Sequence, residues 1–288
     1  MSSDTCTLLS ALTEAERRLA PLQDGARLDA ELLLALALDQ PRSYIHAHPE
    51  QALTPPQRAR FDDLVQRRAT GWPVAYLIGR REFWSLELEV TPDTLIPRPE
   101  TELLVERALR HLPPDREAHV ADLGTGSGAV ALAIARERPR ARVVASDVSE
   151  PALAVARANA ARLGIHNVAF RAGDWCAALA GERFDLIASN PPYVPNGDPH
   201  LLSGDLRFEP LTALAAGPDG LDALRRIAFH ARRHLVPDGW LLLEHGYNQE
   251  TEVRQLLMRY GYRDVTGHRD AAGHGRVCEA RRPAGLYT

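Results

Sequence analysis

His119-Val120-Ala121-Asp122-Leu123-Gly124-Thr125-Gly126-Ser127-Gly128-Ala129-Val130-Ala131-Leu132-Ala133-Ile134-Ala135-Arg136-Glu137 decides the fold. An apolar run over residues 120–123 stops at three glycines, and a second apolar run over residues 130–137 follows. A strand, a tight turn and a helix account for this order, because glycine makes such a turn without steric cost.

Downstream the alternation repeats. Residues 142–146 predict a second strand that ends at Asp147, and Ser149 caps a helix through Leu163. Residues 167–172 and 184–189 predict the third and fourth strands, and residues 220–235 a helix. A fifth strand follows over 240–244 and a helix over 248–260, with last strands near 262–266 and 275–280. Strands alternating with helices specify a parallel sheet covered on both faces, an α/β fold. Such sheets bind ligands outside the carboxyl ends of their strands, so the residues just after each strand are the candidates for function.

Upstream the pattern differs. Residues 1–70 read as a helical bundle: Leu8, Leu12, Ala15 and Leu19 recur at helical spacing, and residues 29–38 are rich in Leu and Ala. Thr54-Pro55-Pro56-Gln57 is a helix start with a capping box, and its helix turns Phe61, Leu64 and Val65 inward. No acid–base or metal cluster lies there, so the bundle's expected role is to dock a substrate. Residues 71–99 are punctuated by Gly71, Pro73, Gly79, Pro92, Pro97 and Pro99. Leu86, Leu88 and Val90 alternate with Glu87 and Glu89, which marks a half-buried strand in a linker with a short β-hairpin. A helix then runs from Pro99 to about Leu112, stopped by Pro113-Pro114, and opens a domain over residues 100–288.

Bulk composition excludes several classes. The 288 residues suffice for two domains, and 45% hydrophobic with 25% charged residues is ordinary for a folded chain. The net charge of -4 argues against a strong grip on nucleic acid. Arg136, Arg138, Arg140 and Arg142 read as a solvated helix end and loop. Cys6, Cys176 and Cys278 form no C-x-x-C pair, so neither zinc nor a disulfide framework is expected, and the usage fits a reducing cytosol. All 34 residues counted as Lys or Arg are arginine, which removes Schiff-base chemistry and the P-loop lysine. The start of the chain lacks a basic n-region, and the apolar run 32–38, flanked by Glu31 and Asp39, is too short to span a bilayer. A chain with no leader and no membrane anchor is therefore expected.

Gly124, Gly126 and Ala129 satisfy the dinucleotide fingerprint, and Asp147 follows about 20 residues on, placed for ribose hydroxyls. The expected cofactor contacts are Asp122, Gly124, Thr125, Gly126, Ser127, Gly128, Asp147, Trp175 and Asn190. The loop alone does not separate NAD from S-adenosylmethionine. Asp122 does discriminate: a carboxylate before the glycines suits an ammonium group and sits badly against a pyrophosphate. Its other use is to cap the loop's own N–H groups. Trp175 offers a face for adenine or, equally, an aromatic for the core.

Ser189-Asn190-Pro191-Pro192-Tyr193 closes the fourth strand. Two prolines fix two backbone angles and hold the preceding carbonyls extended. The Asn190 side-chain oxygen and the Pro191 carbonyl can then accept both hydrogens of one planar NH₂ group, with Tyr193 adding a flat surface and a hydroxyl. Amide and aromatic amino nitrogens are poor nucleophiles because their lone pair is delocalised. Acceptors on their hydrogens return density to nitrogen, and orientation toward an activated methyl group supplies much of the acceleration. Asn190, Pro191 and Tyr193 are the expected catalytic residues, and Pro192 joins them in holding substrate. No metal is called for.

These residues resemble the amino-methyltransferases with an Asn-Pro-Pro-Tyr motif and, more closely, the release-factor glutamine N5-methyltransferase family. Gly71-Trp72-Pro73, Tyr76-Leu77-Ile78-Gly79 and Glu82-Phe83-Trp84 look like that family's linker. Leu95-Ile96-Pro97-Arg98-Pro99-Glu100-Thr101-Glu102, Arg207-Phe208-Glu209-Pro210 and Leu243-Glu244-His245-Gly246 look like its later blocks. The resemblance covers nearly the whole chain and is weakest in the first 60 or so residues. It implies a seven-stranded, mostly parallel Rossmann-like methyltransferase sheet with an N-terminal helical domain. It also implies S-adenosyl-L-methionine as cofactor and, as substrate, the Gln of the Gly-Gly-Gln loop in peptide chain release factors. The chain is then expected to act as a cytoplasmic monomer on a protein partner, with no direct contact to nucleic acid or membrane. An adenine-N6 methyltransferase of DNA or RNA uses the same loop logic, but the net charge and the linker blocks speak against it. A dehydrogenase leaves Asn-Pro-Pro-Tyr without a role. A binding module with this pocket would hold the cofactor and transfer nothing.

Overall fold

The computed structural model divides into two compact units, Met1–Arg80 and Arg81–Thr288. It describes residues 6–21 and 25–285. The boundary falls inside the stretch 71–99 that the sequence sets apart as a linker.

In the first unit, α1 (Leu8–Leu19) buries Leu8, Leu12, Ala15 and Leu19 as the helical period requires. α2 (Ala26–Leu38) begins three residues earlier than expected and is apolar on most sides, since it packs at the centre of the bundle. Then come α3 (Arg42–Ala47), α4 (Pro55–Ala69) and α5 (Val74–Ile78). The capping box at α4 is formed in both directions: Thr54 Oγ1 accepts the Gln57 N–H, and Gln57 Oε1 accepts the Thr54 N–H at 3.0 Å. A cap of this kind contributes about 1 kcal/mol. Asp29 and Arg68 form a buried ion pair at 2.7 Å. The short helices α3 and α5 were not foreseen, because five or six residues show no period.

The second unit opens with a two-stranded hairpin, β1 (Arg80–Phe83) and β2 (Leu86–Glu89). Trp84 and Ser85 both hold positive φ, 52° and 54°, as a two-residue type I′ turn demands. Trp84 is held there by its N–H on Glu102 Oε1 at 3.0 Å and its ring Nε1 on Glu137 Oε1 at 3.1 Å. A single 3₁₀ turn, Pro99–Thr101, leads into α6 (Glu102–His111).

The sheet then builds as β3 (His119–Leu123), α7 (Ala129–Glu137), β4 (Arg142–Asp147), α8 (Glu150–Leu163), β5 (Val168–Ala172) and β6 (Phe184–Ser189). α9 (Asp222–His234), β7 (Leu235–Glu244), α10 (Glu250–Arg259), β8 (Arg263–Arg269) and β9 (Gly275–Arg281) complete it. The seven strands lie in the order β5-β4-β3-β6-β7-β9-β8. β3 to β7 are parallel, and β9 runs antiparallel to both β7 and β8. The expected seven-stranded, mostly parallel α/β sheet and N-terminal helical region are therefore both present.

Successive strand residues face opposite cores. Val120, Leu186, Ala188 and Leu242 pack with α6 and α7, while Ala121, Ile187, Leu241 and Leu243 pack with α9 and α10. Burial on both faces explains why these strands read as continuous apolar runs. The arginine cluster after α7 serves the backbone. Arg138 donates to the carbonyls of Leu109 and Leu112, at 2.8 and 2.5 Å, and Arg136 to that of Ser85 at 3.1 Å.

Candidate active site

Register assembles the site. Leu123 pairs with Ser146 on one side and Ser189 on the other, and Asp147 pairs with Ala172. The residues that follow these strand ends therefore share one edge of the sheet: the glycine loop, Asp147, Gly173 to Trp175, and Asn190. β3 connects onward to β4, whereas β6 lies on its other side, so the strand order reverses between β3 and β6. That reversal opens the crevice in which α/β sheets bind ligands.

The glycine loop is tied to itself and to its neighbour. The N–H groups of Gly124 and Thr125 donate to the Ser146 carbonyl at 2.8 and 2.9 Å. Gly126 N–H donates to Asp147 Oδ2 at 2.9 Å, and Gly128 N–H to the Thr125 carbonyl at 2.9 Å. These four donors are thus not offered to a phosphate, although helix N-termini often serve that purpose. The other Asp147 oxygen accepts the Ser149 N–H at 2.9 Å.

Asp122 is 1% exposed; its Oδ2 accepts the Thr125 hydroxyl at 2.6 Å and the Ala131 N–H at 3.2 Å. Burial pushes its pKa up to about 7, with Asp147's charge adding to the rise and the two hydrogen bonds opposing it. Asp122 thus caps no N–H of the glycine loop itself: it holds the Thr125 hydroxyl and an N–H in the first turn of α7, and it also lines a small cavity. Two acidic groups beside a loop with few free donors make a poor seat for a pyrophosphate and a suitable one for a cation.

Trp175 lies over the loop. A Cβ on Gly124 would sit 3.0 Å from the Trp175 ring and would have to hold φ +73°, so glycine lets the indole lie close over the loop without strain. Trp175 itself holds φ 50°, a conformation that bulky residues adopt only when their surroundings impose it.

Asn190 Nδ2 donates to Thr101 Oγ1 at 3.1 Å, and among the described residues Oδ1 meets no donor. Behind it, Ser189 Oγ donates to the Leu123 carbonyl at 2.7 Å and locks the tips of β6 and β3 together. Gln249 Nε2 holds the Tyr193 carbonyl at 3.0 Å, and Gly220 packs directly against that carbonyl. The Tyr193 hydroxyl points to Glu244 Oε1 at 3.4 Å, away from solvent; burial, first, and the Glu244 charge raise its pKa.

Two adjoining cavities of about 220 and 40 Å³ run along this edge and share Leu95, Gly124, Gly126 and Asn190. Asp147, Trp175 and Pro192 line the larger, and Asp122, Thr125 and Ser127 the smaller. Gly128, Pro191 and Tyr193 line neither. Gly128 packs against Leu132 and Ala156, Pro191 is buried, and Tyr193 braces the loop from beneath. The Pro191 carbonyl meets no donor among the described residues.

Several supports had no role assigned from sequence. Glu209 accepts the Ile96 N–H at 3.0 Å and pairs with Arg98, which joins two blocks of the resemblance into one wall. Asn159 Nδ2 donates to the carbonyls of Ser127 and Glu89, both at 3.0 Å. Its signal was present: Ala152, Ala156, Asn159 and Ala160 share the buried face of α8, where an amide needs partners. Thr101, Glu244, Gly220 and Gln249 complete the set.

Residues 10–79 match the PrmC N-terminal domain, and residues 100–202 the Methyltransferase small domain. A release factor glutamine methyltransferase of Pseudomonas aeruginosa is 53% identical over 257 residues, 89% of this chain and 93% of that one. One from Coxiella burnetii is 48% identical over 276 residues, 96% of this chain and 99% of that one. Among solved structures, the hMettl16 catalytic domain superposes with a TM-score of 0.57 at 15% identity, covering 78% of this chain and 83% of that one. The T. thermophilus 16S rRNA N2 G1207 methyltransferase gives 0.53 at 21%, covering 70% of this chain and 49% of that one. These two establish the fold, while the sequence relatives establish more: the chain belongs to the release factor glutamine methyltransferase family.

Proposed function

We propose that this chain transfers the methyl group of S-adenosyl-L-methionine to the N5 amide nitrogen of the glutamine in the Gly-Gly-Gln loop of peptide chain release factors. The observation that carries the reading is Asn190. It lines the same cavity as Gly124, Gly126, Asp147 and Trp175, with its NH₂ end tied to Thr101 and its carbonyl end free. The family membership supplies the substrate class.

The residues fit the cofactor. Asp147 suits ribose hydroxyls, Trp175 an adenine face, and the acidic, donor-poor loop a cationic methionine end. When bound, the cofactor supplies a methyl group on a sulfonium, an already activated leaving group. The chain's part is then to hold the glutamine amide. Asn190 Oδ1 accepts one N–H, and the Pro191 carbonyl, held rigid by the proline that follows it, accepts the other. The nitrogen lone pair is thereby turned toward the glycine loop. Thr101, Gln249 and Gly220 keep those acceptors from shifting when substrate arrives. The bundle of the first unit is assigned to docking the release factor, and the chain to acting as a monomer without nucleic acid.

The test is incubation of the purified chain with methyl-labelled S-adenosylmethionine and a purified release factor, followed by peptide mapping. Label on the Gly-Gly-Gln glutamine is expected. Label elsewhere, or only on nucleic acid added in parallel, refutes the proposal.

A further inference from the structure

Three short arcs of chain meet around Asn190, and each is stiffened by proline. The first is residues 95–101, with Pro97 and Pro99; the second runs from Asn190 to Val194, with Pro191 and Pro192; the third is residues 209–214, with Pro210. Each arc is fastened to the next. Asn190 Nδ2 donates to Thr101 Oγ1 at 3.1 Å. Val194 N–H donates to the Leu214 carbonyl at 2.9 Å, and Ala216 N–H donates to the Val194 carbonyl at 2.9 Å. Glu209 closes the circuit: one oxygen accepts the Ile96 N–H at 3.0 Å, and the other pairs with Arg98. Covalent chain and hydrogen bonds thus run in a ring, from Ile96 to Thr101, Asn190, Val194, Leu214, Glu209 and back to Ile96.

The closing contact is hard to open. The Glu209 side chain has no exposure to solvent, whereas that of Arg98 keeps 30%. A buried carboxylate that loses its partners is strongly unfavourable, so neither arc can move off without stranding it. All three arcs line the larger cavity, through Leu95, Asn190, Pro192, Pro210 and Ala213. Of these five, only Asn190 is also proposed for the cofactor, and the rest are apolar. The ring therefore bounds the part of the cavity where the substrate amide is held, with walls suited to a methylene stem.

We infer that Glu209 is a positioning residue for substrate selectivity: by closing this collar it fixes how near a peptide backbone can come to Asn190. It thereby sets how long a side chain must be for its amide to reach Asn190 Oδ1 and the Pro191 carbonyl. This inference rests on the amide-methylation reading above. Glutamine and asparagine carry the same amide and differ by one methylene. With the collar closed, an asparagine amide falls short by roughly 1.5 Å, the length of one carbon–carbon bond. A shortfall of that order costs about 100-fold or more in rate. With the collar open, the first and third arcs can part, the peptide sinks further in, and the shorter side chain reaches. Glu209 touches no reacting atom; it acts through Ile96 and Arg98.

The full chain is given a release factor with its Gly-Gly-Gln loop and the same factor with asparagine in place of that glutamine. kcat/KM is measured for each, alongside cofactor affinity by calorimetry. The wild type should prefer glutamine by about 100-fold or more. Glu209→Ala should cut that preference by about tenfold or more, with cofactor affinity held within about threefold. Glu209→Gln, whose amide oxygen can still accept the Ile96 N–H, should keep the preference within about threefold of wild type. Should Glu209→Ala fold poorly, Glu209→Asp keeps the charge but withdraws it by one bond length. It cannot then hold Ile96 and Arg98 together, and it should cut the preference by a similar factor. A loss of turnover that is equal on both factors marks a merely structural role and overturns the inference. A wild type without preference overturns it too, as does a variant that loses cofactor affinity tenfold while its preference stands. A wild-type chain that methylates neither factor fails the proposed function instead, so the two failures are separate.

Discussion

Gly220→Ala moves the Asn-Pro-Pro-Tyr loop without touching any residue that faces a ligand. Gly220 holds φ +74°, and a Cβ there would lie 2.2 Å from the Tyr193 carbonyl oxygen and 2.9 Å from Gln249 Nε2. Carbon–oxygen contacts close at about 3.3 Å, so that carbonyl must retreat by roughly 1 Å. The retreat breaks the 3.0 Å bond from Gln249 and draws Pro192, Pro191 and Asn190 with it. Alanine in a left-handed conformation costs about 1–2 kcal/mol, which in a unit of this size lowers Tm by roughly 2–8 °C and leaves it folded at assay temperature. Misplacing a reacting group by about 1 Å costs on the order of 100-fold in rate. The glycine loop follows a different strand, so cofactor affinity should change by less than about threefold. Steady-state kinetics with a release factor, together with calorimetry for the cofactor, separate the two quantities. A folded Gly220→Ala chain with wild-type kcat, or one that loses cofactor affinity as much as turnover, refutes the loop's role in orientation.

Asn190→Ala should cut kcat by about 100-fold or more with a much smaller fall in cofactor affinity, since orientation is its main contribution; a modest rate change in single-turnover kinetics contradicts that. Asp147→Ala removes the acceptor for the Gly126 and Ser149 N–H groups as well as the proposed ribose partner. Calorimetry should show affinity weakened by about 10- to 100-fold, the loss of one or two charge-assisted hydrogen bonds; unchanged affinity removes Asp147 from the site. Glu279 concerns stability. Burial would raise its pKa, but hydrogen bonds from His111 and Arg107 and the nearby His268 outweigh it and hold the carboxyl near 2, against an ordinary 4.5. A depressed acid stabilises the fold above its ordinary pKa, and that contribution is lost as pH falls from about 4.5 toward about 2. Urea unfolding should place Glu279→Gln on the order of 3 kcal/mol below wild type near pH 6, with the gap closing in acid. A gap that does not narrow shows that the charge of Glu279 is not its cause.

The parts of this molecule that were legible in the sequence are those with local causes. A glycine run after Leu123, a Ser cap at Ser149 and two prolines after Asn190 act on their own backbone, and each stands where the sequence placed it. The sheet order and the reversal between β3 and β6 depend on pairing between distant strands, and no local pattern carries that. β7 shows the limit within one element. The expected strand spans residues 240–244, yet β7 begins at Leu235 and runs through Pro237-Asp238-Gly239, with Asp238 at φ 63°. Gly239 suits that position, since a Cβ would press on the carbonyls of Val236, Phe184 and Asp185 at 3.0, 3.1 and 3.2 Å. The residues proposed for the cofactor, Asp122 apart, could be named because they follow the ends of strands. The braces could not: Thr101, Glu209, Gly220, Glu244 and Gln249 act across long sequence separations, and their chemistry is visible only once their partners are in place. Tyr193 illustrates both sides. Its position in the motif was evident, but its hydroxyl turns to Glu244 and not to the cavity, a direction set by β7.

A crystal structure of the chain with S-adenosylhomocysteine and a glutamine-containing Gly-Gly-Gln peptide tests the central claim most directly. The distances from the glutamine amide nitrogen to Asn190 Oδ1 and to the Pro191 carbonyl oxygen should each be about 2.9 Å, with the nitrogen facing the glycine loop. An amide nitrogen held by other groups, or an Asn190 that presents its NH₂ end to the peptide, contradicts it.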